Sequence, residues 1–360
     1  MKHSLFTLVS LLAASVAATP VAASNGIGLA IRGDGQQANK AAAGGNGGAG
    51  SAENQGDQAN GKDKKNKSKG AKDANKAGAG AGAGAAAGAA NSTAGAGKAA
   101  AGALVLPDGR IKADAVPEDF NVLASVFKSA VVKGDGLVFS DLIDFPQVDA
   151  SLFDKAGNTK AFAINIDDKS IFIPQGGEAQ SNTRRADLLP SIRSQLNNVA
   201  VTGVRTLHFS VQREAAKPLN ETHDYQMVSL ESGDFSFHQF DVRTGADNGN
   251  EIAIFGNSKA TPPAKLFSTP FGDADFENFA MKLDFDANTV QVFHSTGQDA
   301  LKQVTEPVAN GTDLAGLGEY HFALQKNPVG DAPQPAGIKE ALIYAGIFME
   351  DSTGGTVTLQ

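Results

Sequence analysis

From Leu104 to the end of the chain, apolar and polar residues alternate in short segments that turn residues interrupt about every ten positions. A side-chain period of two belongs to a strand, which shows alternate residues to opposite faces. The pattern therefore predicts an all-β sandwich or barrel and leaves no room for a run of βαβ units. In Thr206-Leu207-His208-Phe209-Ser210-Val211-Gln212, the residues Leu207, Phe209 and Val211 should face a core while His208, Ser210 and Gln212 face outward. Asp286-Ala287-Asn288 is the expected turn of a hairpin between 279–285 and 290–293. Further strands are expected at 161–166, 170–173, 225–230, 235–242, 251–255, 320–324 and 341–348, with short helices only near 122–131 and 191–196.

What precedes Leu104 cannot join that core. Residues 1–23 read as a secretory signal: Lys2, the apolar run from Leu5 to Ala18, and small residues at Val16-Ala17-Ala18 and Val21-Ala22-Ala23. Residues 24–103 are dominated by Gly, Ala, Asn and Lys, and bury too little apolar surface to offset chain entropy, so a disordered spacer is expected. The remaining segment, 104–360, is the domain. It holds no cysteine, so its fold must rest on its core rather than on disulfides. No stretch is long and apolar enough for a spanning helix, and a soluble, monomeric, extracellular or wall-associated protein is expected, with no membrane partner. Four sequons, at Asn66, Asn91, Asn220 and Asn310, agree with a eukaryotic secretory route.

The net charge of -8 conceals a split, because residues 24–103 carry ten Lys/Arg against five Asp/Glu while the domain carries twenty against thirty-four. An acidic domain lacks the basic groove that phosphates require, which excludes nucleic acid as the ligand. The lysines of the spacer could hold anionic wall polymers, although a charge run is more often only a solvated tether. Standard motifs remove most enzyme classes: there is no G-x-S-x-G elbow, no H-E-x-x-H, no dinucleotide fingerprint and no cysteine nucleophile. Asp284-x-Asp286-x-Asn288 opens like a calcium loop, but Thr289 and Ser295 occupy the positions of the required Gly and Glu, so it reads as a turn and no metal or cofactor is expected.

Carboxylates, histidines and arginines are what remain. In Thr183-Arg184-Arg185-Ala186-Asp187-Leu188-Leu189-Pro190 and in Asn220-Glu221-Thr222-His223-Asp224-Tyr225-Gln226, an acid sits at the edge of a β-prone run beside a cation or imidazole. Paired carboxylates on a sheet are the usual equipment for glycosidic cleavage, one protonating the leaving oxygen while the other activates water or attacks. Surface salt bridges would give the same local pattern.

These two blocks, together with Asp108-Gly109-Arg110-Ile111, Ile166-Asp167-Asp168-Lys169-Ser170-Ile171-Phe172, Leu266-Phe267-Ser268-Thr269-Pro270-Phe271, Val292-Phe293-His294-Ser295-Thr296-Gly297 and Ile347-Phe348-Met349-Glu350-Asp351-Ser352, follow one order along the domain. In that order the chain closely resembles glycoside hydrolase family 131, a family of fungal secreted proteins. The resemblance implies a β-jelly-roll and activity on β-glucans with 1,3, 1,6 or 1,4 linkages, by inversion. It also implies that Asp187 and Asp224 are the catalytic pair, at positions where the family carries glutamates. An aspartate is one methylene shorter, and a displacement of about 1 Å can cost about a hundredfold in rate. Glu231, Glu178 and Glu221 are the acids that could substitute.

Arg185 would share a strand face with Asp187 and keep it ionised as the base, leaving Asp224 as the acid. Gln226 would bind a sugar hydroxyl, and His321, His294 and Tyr225 would line the cleft. The chain has no Trp, and Phe139 and Phe276 stand where the family tends to carry one. A non-catalytic, wall-associated glucan-binding protein of the same fold is the competing expectation.

Overall fold

The computed structural model describes residues 102–122, 127, 132–174, 176–190, 197–311 and 318–360. The signal and all but the last two residues of the spacer lie outside them, as do most of 122–131 and all of 191–196, where helices were expected. The strands are β1 (Ile111–Lys112), β2 (Ile143–Asp144), β3 (Thr159–Lys160), β4 (Phe162–Asp167), β5 (Arg184–Leu188), β6 (Val204–Arg213), β7 (Asp224–Glu231) and β8 (His238–Gly245). They continue with β9 (Glu251–Phe255), β10 (Lys265–Pro270), β11 (Glu277–Asp284), β12 (Thr289–Thr296), β13 (Lys302–Gln303), β14 (Val308–Ala309), β15 (Glu319–Lys326) and β16 (Lys339–Asp351). The one α-helix among the described residues is a single turn, Asn197–Ala200.

All pairings are antiparallel, and they form a β-jelly-roll sandwich. The smaller sheet runs β10-β9-β8-β7-β15-β5; the larger runs β13-β12-β11-β6-β16-β4-β2, with β14 added beside β12. Alternation explains the layers: Leu207, Phe209 and Val211 of β6 meet Tyr225 and Leu230 of β7 and Phe322 and Leu324 of β15 in one shared core. Tyr344 of β16 crosses that core. Its hydroxyl donates to the carbonyls of Met227, at 2.9 Å, and Ala323, at 2.6 Å, where a register shift interrupts the β7–β15 ladder. A bulge that would otherwise bury unpaired carbonyls is thus satisfied from the opposite sheet.

The outer faces differ from the expectation that both are solvent-facing. His208 and Ser210 are fully buried and Gln212 nearly so, because the larger sheet's outer face is covered. Phe153 packs edge-on to His208 and Phe348, and Val357 and Leu301 complete that cluster. The close approach needs Gly346: it lies at a register shift in β16 with φ of 60°, and a Cβ there would meet Phe153 at 2.8 Å. Among the described residues no comparable hydrophobic cluster lies over the smaller sheet's outer face, and the site lies there.

Strand limits shift where turns intervene. The 279–285/290–293 hairpin forms as expected, with Asp284 Oδ1 accepting the N–H groups of Asp286 and Ala287 and Asn288 at φ of 57°. Residues 170–173 give only a bridge from Phe172 to Gly134, and β8 starts at His238 rather than Phe235, whose φ of 57° places it in the preceding turn.

Candidate active site

On β5, β15, β7 and β8 the residues that alternate with the core point to the open face. They form a continuous line of charge, Arg185, Asp187, His321, Glu231, His238, Asp241 and Arg243, drawn from four strands. Glu231 is its centre. His321 Nε2 lies 3.2 Å from Glu231 Oε2, and His238 Nε2 lies 3.9 Å from Oε1. Each histidine is backed by a buried aspartate: His321 Nδ1–H donates to Asp187 Oδ2 at 3.0 Å, and His238 Nδ1 lies 2.7 Å from Asp241 Oδ1. Each aspartate is in turn held by an arginine, Arg185 through Nε at 3.2 Å and Nη2, Arg243 through Nη2 at 2.8 Å.

The electrostatics follow from this alternation of sign. Burial alone would raise the Asp187 carboxyl, but Arg185 and His321 outweigh it and hold it at about 2. Burial also opposes the charged form of His321, yet Asp187 and Glu231 raise it to about 9. Glu231 is lowered in spite of burial, first by His321 and then by His238 and Arg185. Asp241 is likewise lowered against burial by His238 and Arg243. At neutral pH the line therefore holds an ionised Glu231 beside a protonated His321. Among the described residues, His321 Nε2 meets Glu231 Oε2 as an ion pair at 3.2 Å, without the alignment of a hydrogen bond.

Directly across the ladder, Glu319 of β15 is the register partner of Glu231. Two carboxylates side by side on one face disfavour each other, and Glu231 is offset by His321 and His238. Between this row and the next, Ser229 and Ala323 give the face a floor of small side chains, and Gln226 lies beyond it, its Nε2 donating to Ser229 Oγ at 3.0 Å.

The expected site residues divide. Arg185, Asp187 and His321 come together. Asp187, however, has no solvent exposure and its oxygens are taken by Arg185 and His321, so it cannot act as the base on water and instead positions His321. Nor does it face Asp224. Asp187 is the partner of Ala323, whereas Asp224 accepts from the N–H of Asn327, four residues further along, roughly 13 Å of strand and two strands across. Asp224 is held by Asn248 Nδ2 at 3.3 Å and raised to about 6 by burial and by Asp247. It shares the open face but stands at the other end.

Tyr225 and His294 leave the site. Tyr225 alternates with Asp224 and Gln226, so its ring enters the core, where its hydroxyl donates to Glu340 Oε2 at 2.6 Å. His294 belongs to the larger sheet, contacting Glu277 at 2.7 Å and packing against Phe267 and Phe279. Phe139 and Phe276 are buried too. Of the substitute acids, Glu178 is exposed on a loop and Glu221 lines a separate cavity of about 600 Å³ with Arg213 and Asp273. Glu231 alone enters the line. His238, Asp241, Arg243 and Glu319 had no signal, since strict alternation puts His238 and Asp241 on opposite faces. Among the described residues no cluster of three or more His, Asp or Glu is arranged to hold a metal.

Known proteins resemble this chain in sequence and in fold. Residues 105–355 match the model of the glycoside hydrolase 131 catalytic N-terminal domain. The fold is similar to that of a family 131 β-glucanase catalytic domain from Podospora anserina, with a TM-score of 0.57 and 20% identity, covering 72% of this chain and 99% of that one. It is similar also to the catalytic domain of the family 131 protein from Coprinopsis cinerea, with a TM-score of 0.55 and 21% identity, covering 72% and 98%. Among curated proteins none matches. By the match across most of its length, the chain belongs to glycoside hydrolase family 131.

Proposed function

We propose that the protein is a secreted β-glucan hydrolase that cleaves 1,3, 1,6 or 1,4 linkages with inversion, using Glu231 and Glu319 as its carboxylate pair in place of Asp187 and Asp224. The observation that carries the reading is the pairing of two glutamates, register partners on an uncovered sheet face, one of them clamped in its ionised form between two histidines. Glu231 takes a proton from the attacking water, whose oxygen bonds to the anomeric carbon. Glu319 delivers a proton to the departing glycosidic oxygen. Partnered Cβ atoms lie about 5 Å apart, and inversion requires the two carboxyl groups to stand roughly 6.5–9.5 Å apart with a water between them. The positive charge on His321 keeps Glu231 ionised. A long, open face suits a polymer lying across the strands, and the apolar run ahead of Ala18 supports export.

The test is turnover of the full chain on linear and branched β-glucans beside Glu231→Gln and Glu319→Gln, with the anomer of the first product read by NMR. Each substitution is expected to lower kcat by about a thousandfold in protein that still unfolds cooperatively. Retention of a tenth or more of the activity by Glu231→Gln would overturn the assignment. Binding without hydrolysis by the unaltered protein would favour a glucan-binding role instead.

A further inference from the structure

His238 and Asp241 are three positions apart on β8, so regular alternation would put them on opposite faces. The structure brings them together with a bulge. Phe240 partners Leu230, yet His238, not Gln239, partners Glu231; the extra residue is Gln239. Bulges of this kind re-aim a side chain and concentrate beside active sites. The strand end is then fixed from outside the sheet: the His238 N–H donates to Ser258 Oγ at 2.9 Å, and its carbonyl accepts from the Ser258 N–H at 3.0 Å.

The resulting arm mirrors the first one. His238 is partly exposed while Asp241 is buried, with Arg243 closing the line. A buried aspartate paired with an arginine and a histidine is weak evidence for stability, because apolar residues of similar volume would serve as well. The arrangement makes sense as a support for something at its open end, and that end is Glu231 Oε1.

We propose that His238, backed by Asp241, is a second positioning residue for Glu231: His321 stands 3.2 Å from Oε2 and His238 3.9 Å from Oε1, so the two imidazoles bracket the carboxylate that works on the glucan. The inference rests on the reading of Glu231 as the base. The charged groups facing His238 are Glu231 and, across β7, Glu319 and His321 of β15; Asp241 on its own strand; and Lys259, whose ammonium sits 3.9 Å over the Phe237 ring. Removing His238 takes away one of the two imidazoles that lower Glu231, so the carboxyl must titrate at higher pH.

The experiment compares the unaltered full chain with His238→Ala, His238→Gln, Asp241→Asn and, as control, Glu231→Gln. For His238→Ala a fall in kcat of about thirtyfold with KM within twofold is expected, together with an acid limb of the pH–rate profile moved upward. His238→Gln, which restores a donor without the charge, should recover part of kcat but not the limb. The titration of Glu231, followed by carboxyl-carbon NMR in unaltered protein and in His238→Ala, reads the same shift without turnover. An unmoved Glu231 titration in a folded His238→Ala protein overturns the inference, whatever the activity. Full activity of Glu231→Gln overturns the underlying reading, and the NMR result still decides whether His238 governs Glu231. If Asp241→Asn fails to fold, the two His238 variants, altered at a partly exposed side chain, carry the test.

Discussion

Two histidine–carboxylate pairs occupy the outer faces of the two sheets, and their surroundings give them opposite properties. On the larger sheet His208 Nε2 lies 2.9 Å from Glu350 Oε1, with both side chains sealed from solvent. Glu350 also accepts from the Thr358 N–H at 2.7 Å and the Gly102 N–H at 2.9 Å, so it ties both ends of the domain down on the sheet. Burial, which Glu350 only partly offsets, lowers His208 below its ordinary value, while burial fails to prevent His208 and Thr358 from holding Glu350 at about 2. On the smaller sheet His321 has two acids instead of one and rises to about 9. A second carboxylate and an uncovered face turn a latch into a chemically available charge.

The largest expected contrast comes from removing the acid of each pair. Glu231→Gln should abolish turnover and cost about 1–3 kcal/mol in unfolding, since it leaves the buried His321 with one acid instead of two. Glu350→Gln should leave kcat per folded molecule unchanged and cost roughly 1–3 kcal/mol in denaturant unfolding, as expected for weakening the hydrogen bonds of a buried carboxylate. Equal effects on activity would break the contrast.

A smaller separation comes from pH. His321 has a folded pKa of about 9 against an unfolded value near 6.5, so its contribution to stability is fully present below about 6.5 and disappears as pH rises through 9. Glu350, at about 2 when folded, contributes above its unfolded value of about 4.3 and loses that contribution as pH falls through 2. Urea unfolding between pH 6 and 10 should show an alkaline decline that His321→Gln removes and His208→Gln keeps. Identical alkaline limbs in both variants would contradict the assignment of charge.

The smallest effect is expected at Asp224, on the open face but far from the glutamate pair. Asp224→Asn should change kcat by no more than about threefold, because sites more than 7–10 Å apart without shared partners act almost independently. A hundredfold loss in the same steady-state assay would return Asp224 to the catalytic pair and displace Glu319.

Much of this was legible before any coordinates. Alternation located β6, β7, β9, β11, β12, β15 and most of β16, and it correctly put Arg185 and Asp187 on one face with their strand neighbours Ala186 and Leu188 in the core. Arg185 does pair with Asp187 and lower its carboxyl, but the base expected there has no solvent exposure. The sequence misled where a local rule needs a non-local fact. Tyr225 was placed in the cleft because it lies in a suggestive block, although its own alternation points it inward. His238 was invisible because a single extra residue reverses its face.

The sequence by itself determined the class of fold, the segment that folds and the chemistry on offer, because side-chain period, composition and the absence of cysteine are properties of the chain read locally. Tertiary structure alone decided which outer face stays open and which acids become neighbours. Glu231 and His321 meet only through the register of β7 with β15, and His208 is sealed only because Phe153 and the C-terminal segment lie over it. Both outcomes are set by long-range packing, whose energies depend on pairs of segments rather than on either one, so no local pattern can carry them.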